Sequence, residues 1–189
     1  MKLFILAIVL LLSGCKVENN ERMRVNIPEK QEEAKTVVQS VMGEAFTNIK
    51  DKEENRMNNI CLACSALTET VLKPGEELSF NDKTGKRSAK AGYKEASVII
   101  DGEHARGIGG GVCQVSTTIY MAAQNSGLEI TELHHHSKTV SYAPAGGDAT
   151  VVYGVKDLKI KNNTSDDIHL YVWTDNEKIF AKFIKNVLT

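Results

Sequence analysis

The sequence of 189 residues predicts an α+β fold, in which two or three helices pack on a mostly antiparallel sheet and a cysteine sits at the N-terminus of one helix. Apolar residues recur at helical spacing in residues 59–71 and again in residues 113–125. From residue 128 onward, short alternating segments are separated by clusters of Gly, Pro, Asn and Asp. Short strands joined by tight turns pair antiparallel, because a parallel pair needs a long crossover.

The elements follow from these signals in chain order. Asn59 is a candidate N-cap for the first helix, and Pro74-Gly75 then turns the chain into a strand that ends near Phe80. Asp101-Gly102 is a strong hairpin signal, and Gly127 lies just past the second helix. Strands are predicted at residues 96–100, 103–106, 128–133, 137–142, 148–153, 157–161, 167–174 and 177–184.

The first fourteen residues have the pattern of a secretory signal. Lys2 precedes an apolar run over residues 3–12, which is too short to cross a bilayer. The run ends in Leu-Ser-Gly-Cys at residues 12–15, which resembles the bacterial lipobox. This pattern predicts removal of residues 1–14, lipidation of Cys15 and anchoring to the outer face of the cytoplasmic membrane. A plain signal peptide with a coincidental cysteine is the alternative.

Residues 15–45 are predicted to form a lipid-anchored tether with a short helix, followed by a globular domain over residues 46–185. Residues 16–28 are polar, and the apolar residues of 28–45 recur at helical spacing behind Pro28. Removal of Lys2 leaves 22 Lys+Arg against 24 Asp+Glu, a net charge of −2. Because no basic patch stands out, nucleic acid is not an expected partner, and we expect a monomer.

The chemistry is concentrated in residues 107–118, which read Gly-Ile-Gly-Gly-Gly-Val-Cys-Gln-Val-Ser-Thr-Thr. The consecutive glycines Gly109, Gly110 and Gly111 leave the backbone bare, so a substrate chain can approach closely. Cys113 falls in the first turn of the second helix, where the helix dipole and free N–H groups favour a thiolate. Cys113 is therefore a candidate nucleophile. The alternative is a small buried residue beside a structural turn.

A base for this thiol is offered by three consecutive histidines. On an extended chain His134 and His136 share one face and His135 points away. Asp148 follows after a turn and is positioned to fix the tautomer of the histidine. The pattern leaves two alternatives open. A zinc ion could be held by His134, His136 and Asp148, or the histidines could be a solvated cluster without a role.

Cys61 and Cys64 form a CxxC pattern on the first predicted helix. No βαβ pattern accompanies it, which argues against a thioredoxin-like role, and a structural zinc would need two more ligands. The pattern favours two small, half-buried helix residues, and a disulfide between them remains open in an oxidising setting.

Several motifs together resemble the VanW family. They cover about two thirds of the chain, and the Gly-rich stretch is the most specific. The matching stretches are residues 70–81, 92–96, 107–118, 140–142, 148–151 and 161–164. The resemblance implies an exported, peptidoglycan-directed domain, and some family members are understood to be L,D-transpeptidases with the motif cysteine as nucleophile.

Carried over to this sequence, the resemblance implies Cys113 as nucleophile and His134, His136 and Asp148 as its catalytic partners. His135 stands where proline is common, and Gly147 stands where an arginine usually precedes the acid. Arg106 is then a candidate to supply that charge. The expected substrate-binding residues are Gly109, Gly110, Gly111, Gln114, Ser116, Thr117, Arg106 and Tyr142.

In the expected reaction, Cys113 attacks the third residue of a donor stem tetrapeptide, the terminal D-alanine leaves, and the thioester passes its acyl group to an amine of a neighbouring stem. The product is a 3-3 cross-link, and no cofactor or metal is expected. Water as acceptor would make the same site an L,D-carboxypeptidase. A different class of function is a non-catalytic wall-binding module linked to glycopeptide resistance, in which the glycine turn and the cysteine are structural.

Overall fold

The computed structural model describes residues 37–100 and 103–188, and it confirms the mixed α+β class. Within these two ranges, three α-helices and one 3₁₀ turn are interleaved with nine strands. The helices are α1 (Glu54–Leu67), α2 (Phe80–Thr84) and α3 (Val112–Asn125), and the 3₁₀ turn is Ala89–Ala91. The strands are β1 (Val37–Asn48), β2 (Thr70–Leu72), β3 (Glu77–Ser79), β4 (Glu95–Ile100), β5 (Glu103–Ile108), β6 (Glu129–Glu132), β7 (Lys159–Lys161), β8 (Ile168–Thr174) and β9 (Lys178–Leu188).

Every strand pair in the described part of the chain is antiparallel, as the turn-rich sequence predicts. A four-stranded sheet has the order β1-β9-β8-β2, a three-stranded sheet has the order β3-β7-β6, and β4 and β5 form a hairpin. Helix α3 packs on β1 and β9, and α1 packs on β8. The core between these layers is apolar, and its largest fully buried side chains include Phe80, Phe183, Ile60, Leu67, Ile119 and Leu170.

The helix predicted over residues 28–45 is wrong for its described part, because residues 37–48 form strand β1 along β9. The strand register shifts between Val41 and Gly43, and this bulge produces apolar spacing that mimics a helix. Gly43 lies so close to α3 that an added Cβ would be 2.5 Å from Ser126 N. The folded domain therefore begins before residue 46. The rest of the tether and Cys15 lie outside the described residues.

Two predicted strands, 137–142 and 148–153, are irregular in the structure apart from a bridge between Val152 and Lys156. In the second of these segments, backbone N–H groups form hydrogen bonds outside any strand ladder: Thr150 N–H donates to the His134 carbonyl at 2.8 Å, and Ala149 N–H donates to the Thr117 hydroxyl at 3.0 Å.

Within the described ranges, no helix is long and apolar enough to cross a membrane.

Helix α1 begins at Glu54, so Asn59 is not its N-cap. Asn59 is fully buried inside the helix, and its amide donates to the carbonyls of Lys94 and Gly110 at 2.9 and 3.0 Å. It also accepts from Lys94 N–H at 2.8 Å. The residue predicted as a cap instead fixes the glycine loop against α1, which places the start of α3.

Candidate active site

The glycine loop is a tight turn that leads directly into α3. Gly111 is the N-cap of the helix and has φ 103°, a conformation that residues with a side chain rarely adopt. A Cβ on Gly110 would lie 2.3 Å from the carbonyl oxygen of Ser97, so the loop also needs glycine to approach β4. Cys113 is the second residue of α3 and so belongs to its first turn, as the sequence predicts. The backbone N–H groups of a first turn have no partner within the helix.

The Cys113 sulfur is partly buried, 3.7 Å from the Thr150 hydroxyl and 3.6 Å from the Val151 carbonyl oxygen. Burial disfavours the thiolate. The His136 imidazole, the backbone of Val151 and the Thr150 hydroxyl outweigh burial, and the net pKa of the Cys113 thiol lies below its usual value. The site therefore favours ionisation of this sulfur.

His136 is held by Asp148 through two contacts to one carboxylate oxygen. Asp148 Oδ2 lies 2.6 Å from His136 Nδ1 and accepts from His136 backbone N–H at 2.8 Å. Both side chains are more than nine-tenths buried. Burial opposes the charged imidazole, but Cys113 and Asp148 outweigh burial and raise the pKa of His136. Burial likewise opposes the carboxylate, but His136 holds the pKa of Asp148 below its usual value. Since Asp148 occupies Nδ1, Nε2 is the nitrogen left for Cys113.

The other two histidines do not follow the predicted alternation, because residues 133–136 are not a strand. His134 Nε2 lies 3.0 Å from Glu132 Oε1, away from Asp148. The exposed His135 places Nδ1 2.8 Å from the Asp148 carbonyl oxygen. The set His134, His136 and Asp148 is thus not brought together. Over residues 37–100 and 103–188, no cluster of three His, Cys, Asp or Glu side chains is placed to hold a metal.

Ser116 and Thr117, predicted to bind substrate, are fully buried and support the site from behind. The Ser116 hydroxyl donates to the Ala149 carbonyl at 2.6 Å. The Thr117 hydroxyl donates to the Cys113 carbonyl at 2.7 Å and accepts from Ala149 N–H. These bonds tie the segment that carries Asp148 to α3. They fix the distance between the acid and the nucleophile without reaching a substrate.

A cavity of about 790 Å³ opens in front of Cys113 and His136. Five of the residues that the sequence predicts to bind substrate line it, namely Gly109, Gly110, Gly111, Gln114 and Tyr142. Gln114 is almost fully buried, and its amide donates to Thr47 Oγ1 at 3.1 Å and to the Asn48 carbonyl at 2.9 Å. Burial raises the pKa of the Tyr142 hydroxyl, and nearby Cys113 adds to the effect.

The sequence predicts Arg106 as the positive charge of the site, but other cationic residues line the cavity. Arg106 lies outside the lining, where its exposed guanidinium pairs with Glu53 at 2.6 Å. The cavity is instead lined by one acidic residue, Asp51, and by five cationic residues. The cationic residues are Lys50, Arg56, Lys86, Arg87 and Lys138. No motif marks them in the sequence, because they come from four separate segments that only the fold assembles.

The CxxC cysteines lie apart from this site, on α1. Both are free thiols, Cys61 exposed and Cys64 buried. Burial raises the pKa of Cys64 to about 12, with Cys61 adding to the effect. The two cysteines are helix residues as predicted, but only one of them is in the core.

Comparison with known proteins identifies a matching family and similarity to individual proteins. Residues 55–184 match the family described as VanW like protein. An uncharacterized protein YoaR of Bacillus subtilis (strain 168) is 38% identical over 127 residues, which are 67% of this chain and 42% of that protein. The Vancomycin B-type resistance protein VanW of Enterococcus faecalis (strain ATCC 700802 / V583) is 30% identical over 135 residues, 69% of this chain and 49% of that protein. The chain thus spans less than half the length of these relatives. No solved structure matches it. The chain belongs to the VanW family.

Proposed function

We propose that this protein is a peptidoglycan L,D-transpeptidase that acts through a Cys113 thioester on stem tetrapeptides. The observation that carries the proposal is the placement of a thiol with a lowered pKa at a helix N-terminus, beside a buried His136–Asp148 pair. These are the nucleophile, base and orienting acid of acyl transfer through a covalent intermediate. A large cavity in front of the sulfur provides room for a peptide.

In the first half-reaction, His136 takes the Cys113 proton and the thiolate attacks the carbonyl of the third stem residue at its L-centre. The C–S bond forms, and the C–N bond to the terminal D-alanine breaks. The leaving amine receives the proton from the His136 imidazolium, and D-alanine departs. N–H groups at the start of α3 are suited to stabilise the oxyanion of the tetrahedral intermediate.

In the second half-reaction, a side-chain amine of a neighbouring stem attacks the thioester. His136 takes a proton from that amine, the new C–N bond forms and the C–S bond breaks. The thiolate is regenerated and the product is a 3-3 cross-link. Asp148 stays ionised throughout and holds the imidazole in the tautomer that exposes Nε2 to the sulfur.

The family relationship and the N-terminal pattern support a role at the bacterial cell wall. One relative is named for vancomycin resistance. The lipobox-like Cys15 and the run before it suit export and attachment to the outer face of the cytoplasmic membrane, where stem peptides are the partners.

The decisive experiment incubates the purified full-length protein, in detergent, with a defined tetrapeptide muropeptide and measures intact protein mass. We expect an adduct equal to the tetrapeptide minus D-alanine, together with free D-alanine, and no adduct for Cys113→Ala. Tripeptide without cross-linked dimer, even with amine acceptor present, would indicate an L,D-carboxypeptidase. Peptide binding without release of D-alanine would indicate a binding module and refute the enzyme.

A further inference from the structure

Arg87 occupies an unusual position in the cavity wall. It follows α2 in the chain and is partly buried. Its Nη1 donates to the Thr84 hydroxyl at 3.1 Å and to the Gly85 carbonyl at 3.0 Å. Its guanidinium carbon lies 5.9 Å from the centre of the Tyr153 ring. Neutral groups alone thus hold one edge of the guanidinium in place.

The other edge of the Arg87 guanidinium is unengaged. Nε and Nη2 have no acceptor among residues 37–100 and 103–188, and no carboxylate of these residues lies within ion-pair distance. In contrast, Arg106 donates through Nη1 and Nη2 to the two carboxylate oxygens of Glu53. Parallel N–H groups of this kind match the two oxygens of a carboxylate. Arg87 is therefore preorganised for an anion that the described chain does not supply.

The glycine loop makes room for Arg87 in the wall of the cavity that Cys113 also lines. A Cβ on Gly109 would lie 3.0 Å from Arg87 Cβ, so the absence of a side chain there allows the arginine stem to lie against the loop. Burial lowers the pKa of Arg87, and the charge of Cys113 acts in the opposite direction. Arg87 and Cys113 both line the same cavity.

The other cations of the cavity are less suited to this task. Arg56 Nη2 already donates to Gln114 Oε1 at 2.7 Å, and Arg56 Nε is buried, with almost no surface that a ligand could reach. The lysines are exposed, and a solvated ammonium on a flexible stem holds a carboxylate with less geometric selectivity. Lys138 already pairs with Glu103 at 2.8 Å.

We propose that Arg87 binds the free carboxylate of the residue that leaves, and so selects donor stems that end one residue beyond the attacked carbonyl. This inference rests on the proposed function and adds a determinant of donor length to it. A tetrapeptide places its terminal carboxylate beside the scissile bond. A pentapeptide places an uncharged amide there, which offers Arg87 neither a negative charge nor two acceptor oxygens.

The test compares two donors, a tetrapeptide acid and the same peptide with a C-terminal amide, by the rate constant for Cys113 acylation at limiting donor. For the wild type we expect the acid to react about 10–100-fold faster, the range for a charge-assisted hydrogen-bonded pair. Arg87→Gln should remove this preference by slowing the acid alone, and Arg87→Lys should restore part of it. Lys90→Gln, which removes a nearby exposed charge outside the cavity, should leave the preference intact.

Binding of both peptides to Cys113→Ala, measured by calorimetry with and without Arg87→Gln, separates this inference from the proposed function. Carboxylate-dependent binding that requires Arg87 supports the inference even if no acylation occurs in the wild type. Equal loss for acid and amide donors, a preference that survives Arg87→Gln, or a preference that instead requires Arg106 would overturn it. Failure to bind either peptide would overturn both proposals.

Discussion

The Nδ1 atom of His136 lies 2.6 Å from Oδ2 of Asp148, although the two residues are joined by an irregular loop rather than by paired strands. The same carboxylate oxygen accepts the backbone N–H of His136, so ring and backbone are oriented by one group. This arrangement assigns different roles to three adjacent histidines, and the assignment can be tested by substitution.

His136→Ala should lower the rate of Cys113 acylation by about 10²–10⁴, because the thiol loses its proton acceptor. His134→Ala is the matched control and should leave the rate near the wild-type value, since His134 contacts Glu132 outside the cavity lining. Rates are measured by intact mass after rapid quenching. Similar losses in both variants would contradict the distinction between them.

The pH dependence of Cys113 alkylation should report the same partnership. His136 contributes to the lowered pKa of Cys113, so His136→Ala should raise that pKa and shift the alkylation midpoint to higher pH. At neutral pH the variant should therefore react more slowly with iodoacetamide. A Cys61→Ala background removes the exposed thiol, and the buried Cys64 is suppressed by its raised pKa. Superimposable pH profiles would exclude His136 as the cause.

Cys113→Ser should fold normally but lose at least about 10³-fold in acylation, because a serine hydroxyl is far harder to ionise than a thiol at this position. Wild-type turnover should survive EDTA and stop on alkylation. Far-UV circular dichroism checks the fold, and D-alanine release measures turnover. Chelator-sensitive turnover with full activity in Cys113→Ser would instead establish a zinc enzyme.

Thr117→Val should destabilise the protein by about 1–3 kcal/mol, because the buried N–H of Ala149 loses its acceptor. Thr131→Val is the matched control, since the Thr131 hydroxyl contacts Glu77 at the surface and its loss should cost less than about 0.5 kcal/mol. Urea unfolding measures both. Equal costs would show that Thr117 does not anchor the loop.

Cys15→Ala should abolish acyl labelling in a bacterial host and leave the signal uncleaved by the lipoprotein pathway. The physical reason is that the lipid is attached through the Cys15 sulfur, and membrane attachment depends on the buried acyl chains. Labelling with a tagged fatty acid and fractionation of the cells provide the measurement. A lipid-free secreted protein with Cys15 intact would refute the anchoring proposal.

Sequence patterns predicted the secondary-structure elements that depend on residues close together in the chain. The helix behind the glycine run and its cysteine follow from residues 107–125, and the β4–β5 hairpin follows from its turn. Strand β1 was not predicted, because the residues of its partner β9 lie at least 130 positions away in the chain and the bulge in β1 disguises the strand period.

The candidate site likewise contains some residues that local sequence patterns predict and others that they do not. Order along the chain correctly suggested a histidine–Asp148 pair, but strand alternation could not single out His136, since the segment is irregular and its direction is set by side-chain hydrogen bonds. No sequence motif around Arg87 marks it as a residue of the cavity. It enters the cavity because Gly109, 22 residues later, leaves space for its stem.

Strands β1 and β9 run antiparallel along their whole length, so Val37 lies opposite Leu188. The polypeptide therefore enters and leaves the domain at one end of the sheet. A unit with adjacent ends can be spliced into a host loop, or circularly permuted through a short connector, without stretching its sheet. The related segments make up only 42% and 49% of two longer proteins, as this geometry permits. A sheet whose ends are adjacent can therefore sit inside a longer polypeptide without a change in its strand order.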